Sequence, residues 1–373
     1  MSAYLVVFLA AAGTTLVATP FVRRFVIQVG AIDHPSDRKV HPVDTPTMGG
    51  LAMYLGFLVA LMASRFMPFF DDVNAASPEP LAALVTCTLM VGLGVIDDMR
   101  GTTALSKLVA QLFIAGVLVL LGVQLAYFVV PGFGGNPVQV VVLSGDLAVI
   151  LTIIWVVAVA NAVNLVDGLD GLAAGIVAIA AGSFFSYMVR SESLFGDASQ
   201  AALLSAITAG ICLGFLPWNF HQAKIFMGDS GSMLLGMLLA LATISGVGRN
   251  PVQPTRQDLA AVLTAVLAPL MVLFIPFLDV ALAVIRRTRR GQRIGHADKE
   301  HMHHRLMDIG HGHRQAVLLM YLWAALVAVS GLAIGLLEGW AVITAVVAGS
   351  IGLFLVTALP RLVERRGNGG ESP

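Results

Sequence analysis

About eleven runs of roughly twenty residues, each almost free of charge, follow one another along this chain, and a soluble core has no room for so many. They lie near 3–22, 49–67, 80–96, 105–122, 147–163, 171–189, 201–217, 230–248, 259–285, 315–336 and 339–360. In hydrocarbon every backbone N–H and C=O has to be satisfied within the spanning segment, and a helix does this by itself. The runs are therefore read as transmembrane helices, and the fold as an all-α polytopic membrane protein. A composition of 57% hydrophobic and 12% charged residues agrees. Arg23 and Arg24 follow the first run instead of preceding it, which argues against a cleaved signal peptide. Cys87 and Cys212 both fall inside expected spans, so no disulfide framework is implied.

Net charge is zero, but its distribution orients the chain. With the connection 23–48 on the inner side, 18 of the 22 Lys and Arg residues gather there, and only Arg65, Arg190, Arg249 and Arg256 lie opposite. The excess of basic residues on cytoplasmic loops then places the N-terminus outside and the C-terminus inside. Residues 1–361 are expected to form one integral membrane domain, with a cytoplasmic loop at 286–314 and a disordered tail at 362–373. Between 126 and 147, β-branched runs flank a Gly/Asn/Pro turn, the pattern of a short hairpin on the outer face. No repeat with matching broken helices is evident, which weakens the case for an inverted-repeat transporter.

The inward connections hold most of the unusual polar residues, in segments 30–50, 96–107, 161–171, 217–232 and 286–314. Five segments distant in sequence sharing one face suggest a composite site there. Asp97 and Asp98 are adjacent carboxylates at a helix end, costly unless a cation or cationic substrate group relieves them; the plain alternative is a solvated helix end. In NAVNLVDGLDG (161–171) the helix is expected to stop near Asn161 and unwind. Asn164, Asp167 and Asp170 then recur every third residue, with Gly168 and Gly171 open to close approach. Asp170 alone would also serve as a helix cap. KIFMGDSGSMLLG sets Asp229 among small residues at a helix start, where free N–H groups suit phosphate and a carboxylate suits a hard metal; an N-cap is the bland alternative.

HMHHRL carries His301, His303, His304 and Arg305. Zinc prefers closed sets of three or four ligands, and His303 falls on a different helical face from His301 and His304, so phosphate or sugar contacts fit better. The basic run RRTRRGQR before it also reads as a positive-inside anchor. Pro269 and Pro276 in one span should kink a helix and open a lipid-facing groove, and Asp279 is expected to pair with Arg286 or Arg287. Carboxylates and amides able to hold Mg²⁺, together with Lys, Arg and a Gly/Ser helix start, suit phosphoryl transfer at a membrane face.

The set PTMGG, DD, NAVNLVDGLDG, FMGDSGS and HMHHRL, in this order over roughly residues 1–340, resembles the polyprenyl-phosphate N-acetylhexosamine-1-phosphate transferases. The resemblance implies a bacterial inner-membrane enzyme, its active site facing the cytoplasm. Such an enzyme moves a sugar 1-phosphate from a UDP-sugar to a polyprenyl phosphate and releases UMP. It implies Asp229 and Asn164 as ligands of Mg²⁺, with Mn²⁺ able to substitute. It also implies Asp97, Asp98, Lys107 and Asp167 as catalytic, with Lys107 on the diphosphate and Asp97 or Asp98 on the lipid phosphate. Gly168, Leu169, Asp170, Asn219 and Phe226 correspond to a uridine pocket, Phe226 stacking on uracil. His301, His303, His304 and Arg305 correspond to a sugar reader. HMHHRL, with Asp33, Pro35, Arg38, Lys39 and His41 upstream, is most like the branch that uses UDP-N-acetylglucosamine (UDP-GlcNAc), which begins cell-envelope polymers such as O-antigen, teichoic acid and arabinogalactan. The resemblance further implies a homodimer; no nucleic-acid partner is expected.

Two other readings compete. A phospho-N-acetylmuramoyl-pentapeptide transferase would carry a different His-rich segment and a longer reader. An ion-coupled transporter would spread its carboxylates through membrane depth, whereas here they cluster at one face. A direct transfer and a two-step route through an aspartyl phosphate are both open on sequence grounds.

Overall fold

The computed structural model describes residues 1–33, 44–131, 138–195, 199–247, 288, 312–336, 344–355 and 357. The expected span 259–285, with Pro269, Pro276 and Asp279, lies outside these residues, as do Arg38, Lys39 and His41, the tail, and the loop carrying His301, His303, His304 and Arg305.

The described chain is mostly helical. Long apolar runs become α1 (Ser2–Val29), α2 (Gly50–Arg65), α4 (Glu79–Arg100), α5 (Ala104–Leu120), α6 (Gly145–Val166), α7 (Leu172–Phe195), α8 (Gln200–Asn219), α9 (Gly228–Val247) and α10 (His313–Leu336). A short α3 (Asp71–Ala76) follows a single 3-10 turn at Pro68–Phe70. Seven of the helices are long and apolar enough to cross a membrane; α2 and the segment after it form an apolar pair bent by 92°, and α5 and Thr344–Leu355 are shorter apolar helices. This is a multi-pass membrane protein.

The buried centre is α8 and α9. Nearly every residue of α8 from Gln200 to Phe215 is inaccessible, with small residues interleaved among Leu and Ile. Close packing of that kind suits helices in lipid, where no hydrophobic drive brings them together. α1, α2 and α7 pack along α8, and α4 and α6 lie against α9. Gly210 and Gly214 face α1 so closely that a Cβ at Gly214 would fall 2.3 Å from the Ala12 carbonyl oxygen.

Two strand pairs interrupt the helices. β1 (Ile32–Asp33) and β2 (Thr45–Pro46) run antiparallel, with Ile32 opposite Pro46. β3 (Tyr127–Pro131) and β4 (Val138–Val142) also pair antiparallel, Tyr127 opposite Val142, within the stretch where the sequence suggests a hairpin.

Candidate active site

α4 ends in Asp97-Asp98-Met99-Arg100, and Gly101 at φ 63° turns the chain out of the helix while its N–H closes on the Asp97 carbonyl at 2.8 Å. The turn brings Thr102 back onto the Asp97 side chain: its backbone N–H donates to Oδ1 at 2.6 Å, and its hydroxyl donates to the same oxygen. Thr103 then caps α5 by accepting from the Ser106 N–H at 3.2 Å. That cap sets Lys107 in the first turn of α5. Its ammonium lies 2.8 Å from Asp97 Oδ2 and 2.8 Å from Asp229 Oδ2.

Asp229 stands in the first turn of α9, after Gly228 at φ 70°. Its other carboxylate oxygen accepts from the Asn164 side-chain amide, which also donates to Ser232 Oγ at 2.9 Å. Four groups from α4, α5, α6 and α9 thus form one connected cluster, with Asp229 the most open of the three ion-paired side chains at 26% exposure.

Asp98 has a different task. Both its oxygens are used as a cap for α9 supplied from α4, accepting from the Asp229 N–H at 2.8 Å and the Ser230 N–H at 3.1 Å. A carboxylate at a helix N-terminus is favoured by the unpaired N–H groups there. Asp98 therefore fixes where Asp229 points, and Asp229 does not cap its own helix.

The approach of these elements depends on missing side chains. A Cβ on Gly94 would lie 2.4 Å from Ser230 N, and one on Gly50 would lie 2.1 Å from Gly231 N. The PTMGG stretch holds the same region from below: Phe226 N–H donates to Pro46 O at 2.8 Å, and Gly49 and Gly50 N–H donate to Phe226 O and Met227 O at 2.9 Å each. Sequence reasoning gave PTMGG no structural role, although adjacent glycines at a helix start were the available signal.

The turn between α6 and α7 carries the second part. Leu169 is buried and stands beside exposed Gly168. Asp170 Oδ2 accepts from Ala223 N–H at 3.0 Å. Asn219, 2% exposed, accepts from Gly171 N–H and donates to Ile225 O, both at 3.0 Å. Its amide thus ties the 168–171 turn to the loop before Phe226, and Phe226 itself is half-buried. Burial pushes the Asp167 carboxyl up to about 8, helped by the negative charges of Asp229, Asp98 and Asp170.

One expectation fails. α6 does not stop near Asn161 but runs on to Val166. The Asn161 amide donates to Gln111 Oε1 at 2.7 Å and to Val157 O at 2.8 Å, so it is satisfied inside the α5–α6 interface and has no reason to unwind the helix. Of the five segments singled out, 30–50, 96–107, 161–171 and 217–232 meet in the described residues. Arg23, whose Nε donates to Lys224 O at 2.9 Å, joins the end of α1 to the same face.

The donor set around Asp229 fits a hard cation. The Asp229 carboxylate, 26% exposed, and the oxygen of the Asn164 side-chain amide are hard oxygen donors, and Mg²⁺ characteristically takes one or two protein ligands and completes its shell with water and phosphate. Among the described residues, no His or Cys accompanies Asp229 in a metal-ligating group.

A profile described as Glycosyl transferase family 4 matches residues 80–247. The decaprenyl-phosphate N-acetylglucosaminephosphotransferase of Mycobacterium tuberculosis is 43% identical over 328 residues, covering 86% of this chain and 80% of the relative. A probable undecaprenyl-phosphate N-acetylglucosaminyl 1-phosphate transferase of Bacillus subtilis is 35% identical, covering 88% and 84%. The phospho-N-acetylmuramoyl-pentapeptide-transferase of Mycolicibacterium smegmatis is 32% identical, covering 78% and 84%.

Proposed function

Because this chain belongs to glycosyl transferase family 4, we propose that it transfers GlcNAc-1-phosphate from UDP-GlcNAc to a polyprenyl phosphate, giving polyprenyl-diphosphate-GlcNAc and UMP. The observation that carries the reading is the Lys107 ammonium held at 2.8 Å between Asp97 and Asp229, with Asn164 on the far side of Asp229. Relatives named for N-acetylglucosamine match at 35% and 43% identity, against 32% for the muramoyl-pentapeptide enzyme, which favours the first branch.

Asp229 and Asn164 would hold Mg²⁺, which when bound neutralises charge on a diphosphate. Lys107 is placed to move from its carboxylate partners onto phosphate oxygens, spreading the negative charge that grows on the leaving UMP. Asp97, held by Thr102 on one oxygen, keeps the other beside Lys107 and serves as acceptor for a proton from the lipid phosphate. Asp98 acts by fixing Asp229, and Asn219 by joining the two loops that flank Phe226. Gly168, the Leu169 backbone and Asp170 border the same turn, where uridine would lie with Phe226 against its base. The reaction exchanges one phosphoanhydride for another, so it needs no separate energy source. Eleven spans, the N-terminus outside, the site at the cytoplasmic face, His301, His303, His304 and Arg305 reading the sugar, and a homodimer complete the proposal.

Transfer of label from UDP-GlcNAc into an organic-extractable lipid by the purified chain, with Mg²⁺ present, tests it. Loss of that product on Asp229→Asn is expected. Transfer from the muramoyl-pentapeptide nucleotide in preference to UDP-GlcNAc would overturn the branch, and absence of any lipid-linked product would overturn the reaction.

A further inference from the structure

A second cluster of donors stands beside the uridine-side turn. Asp170 between α6 and α7, His221 in the loop after α8, and His313 at the start of α10 bring one carboxylate oxygen and two imidazole nitrogens within 4.8 Å of one another. His221 Nδ1 is 3.7 Å from Asp170 Oδ2, beyond hydrogen-bond range. The two rings lie face to face, centroids 4.8 Å apart and planes 28° apart. His221 Nδ1 and His313 Nε2 are both shut off from solvent without a hydrogen-bond partner. Burying such atoms unmatched is costly, so the arrangement asks for a ligand to pair with them.

Two imidazoles and one carboxylate, delivered by three separate segments, form a donor set suited to borderline transition ions and poorly suited to Mg²⁺. We propose that Asp170, His221 and His313 form a binding site for a Zn²⁺-class divalent ion, distinct from the oxygen-lined position at Asp229. Water completes the tetrahedron. Zn–N and Zn–O bonds of about 2.0–2.1 Å put tetrahedral donors about 3.4 Å apart. The His221–Asp170 pair is already within a few tenths of an ångström of that. Any wider gap in the cluster has to close by at most about 1.4 Å, which rotation of an imidazole supplies. Ligation would clamp the first turn of α10 to both loops that hold Asn219.

The test uses the full chain, without a polyhistidine tag, in lipid nanodiscs with excess Mg²⁺, and titrates Co²⁺ as a visible probe. Ligand-field absorption of tetrahedral Co²⁺ should appear with about one equivalent and be bleached by Zn²⁺. His221→Asn and His313→Gln should each weaken Co²⁺ binding about tenfold or more, while joint replacement of His301, His303 and His304 by Ala should leave it intact. X-ray absorption of the Zn²⁺-loaded wild type should show two imidazoles in the shell, a readout needing no variant. The proposal falls if wild type gives no tetrahedral band, if the band survives both single substitutions, or if it vanishes in the triple variant. None of these readouts measures transfer, so they stand apart from the proposed reaction.

Discussion

Gly94→Ala adds one methyl group and should nearly silence the enzyme while leaving it folded. Gly94 sits one turn before Asp98 on α4, and a Cβ there would meet Ser230 N and Cα at 2.4 Å and the Asp229 carbonyl carbon at 2.6 Å. Ordinary contact starts at 3.4 Å, and every atom met is backbone, so α4 and α9 have to part by about 1 Å. The bonds from Asp229 N–H and Ser230 N–H to Asp98, now 2.8 and 3.1 Å, would then lengthen to about 4 Å and be lost. Overpacking costs about 1–3 kcal/mol, against which alanine gains about 1 kcal/mol over glycine within a helix. Loss of the two cap bonds adds about 1–3 kcal/mol, so a net destabilisation of about 1–5 kcal/mol should show as a lowered melting temperature. A shift of about 1 Å in a group that positions reacting atoms also costs on the order of 10²-fold in rate. Gly92→Ala is the control, because a Cβ at Gly92 meets nothing within 4 Å on the same helix. Initial rates of lipid-linked product formation, with melting temperatures in detergent, should show Gly94→Ala down about a hundredfold and Gly92→Ala near wild type. Equal activity in the two variants would refute the claim that glycine contact between α4 and α9 sets the position of Asp229.

Lys107→Met removes the cation shared by Asp97 and Asp229, and kcat should drop by about 10²–10³-fold, with Lys107→Arg giving no rescue because a planar fork does not replace a compact ammonium. Asp98→Asn keeps one acceptor oxygen for two N–H donors, so thermal unfolding should report a loss of about 1–3 kcal/mol, whereas a wild-type melt would show that the cap contributes nothing. Asp167 links stability to pH in a direction set by its raised carboxyl. The folded chain keeps this proton up to about pH 8, while the unfolded chain gives it up near pH 4, so stability falls as pH rises between these limits, by about 1.4 kcal/mol per unit at most. Asp167→Asn should flatten that slope in metal-free melts from pH 5 to 8, and an unchanged slope would contradict the assignment.

The helices were legible because each apolar run carries its own reason to be helical in lipid. Acidic residues at their ends were legible for the complementary reason: charges at helix ends in a greasy chain are costly without a use. What escaped depends mostly on partners distant in the chain, from 48 residues away for Asn219 and Gly171 to 131 for Asp98 and Asp229. Nothing local in VIDDMR says that Asp97 turns to Lys107 while Asp98 caps α9, since the cap donors are Asp229 and Ser230. Asn161 looked like part of an unwound motif because Gln111, its partner on α5, sits in an unremarkable apolar run. Asn219 looked like a ligand contact, yet both ends of its amide are spent on backbone. His313 sat outside the HMHHRL motif and gained meaning only when α10 placed its ring against His221.

Charge counting across the cluster leads to a last expectation. Asp97 and Asp229 share the single positive charge of Lys107, and Asp98 is matched by backbone dipoles, so the ion-paired group carries one excess negative charge. A diphosphate approaching that group is repelled until a divalent cation reverses the sign. The cation in turn finds few protein ligands and needs phosphate oxygens to complete its shell. Metal and nucleotide should therefore bind as a pair, each raising the other's affinity by the same factor. Calorimetry of UDP binding with and without Mg²⁺, and of Mg²⁺ binding with and without UDP, should return equal ratios, about 5- to 150-fold if the coupling is of ordinary size. Lys107→Met leaves two unshared carboxylates, so it should weaken UDP binding without Mg²⁺ and tighten Mg²⁺ binding without UDP. UDP binding indifferent to Mg²⁺ in the wild type would mean that the nucleotide is held elsewhere than against Lys107 and Asp229.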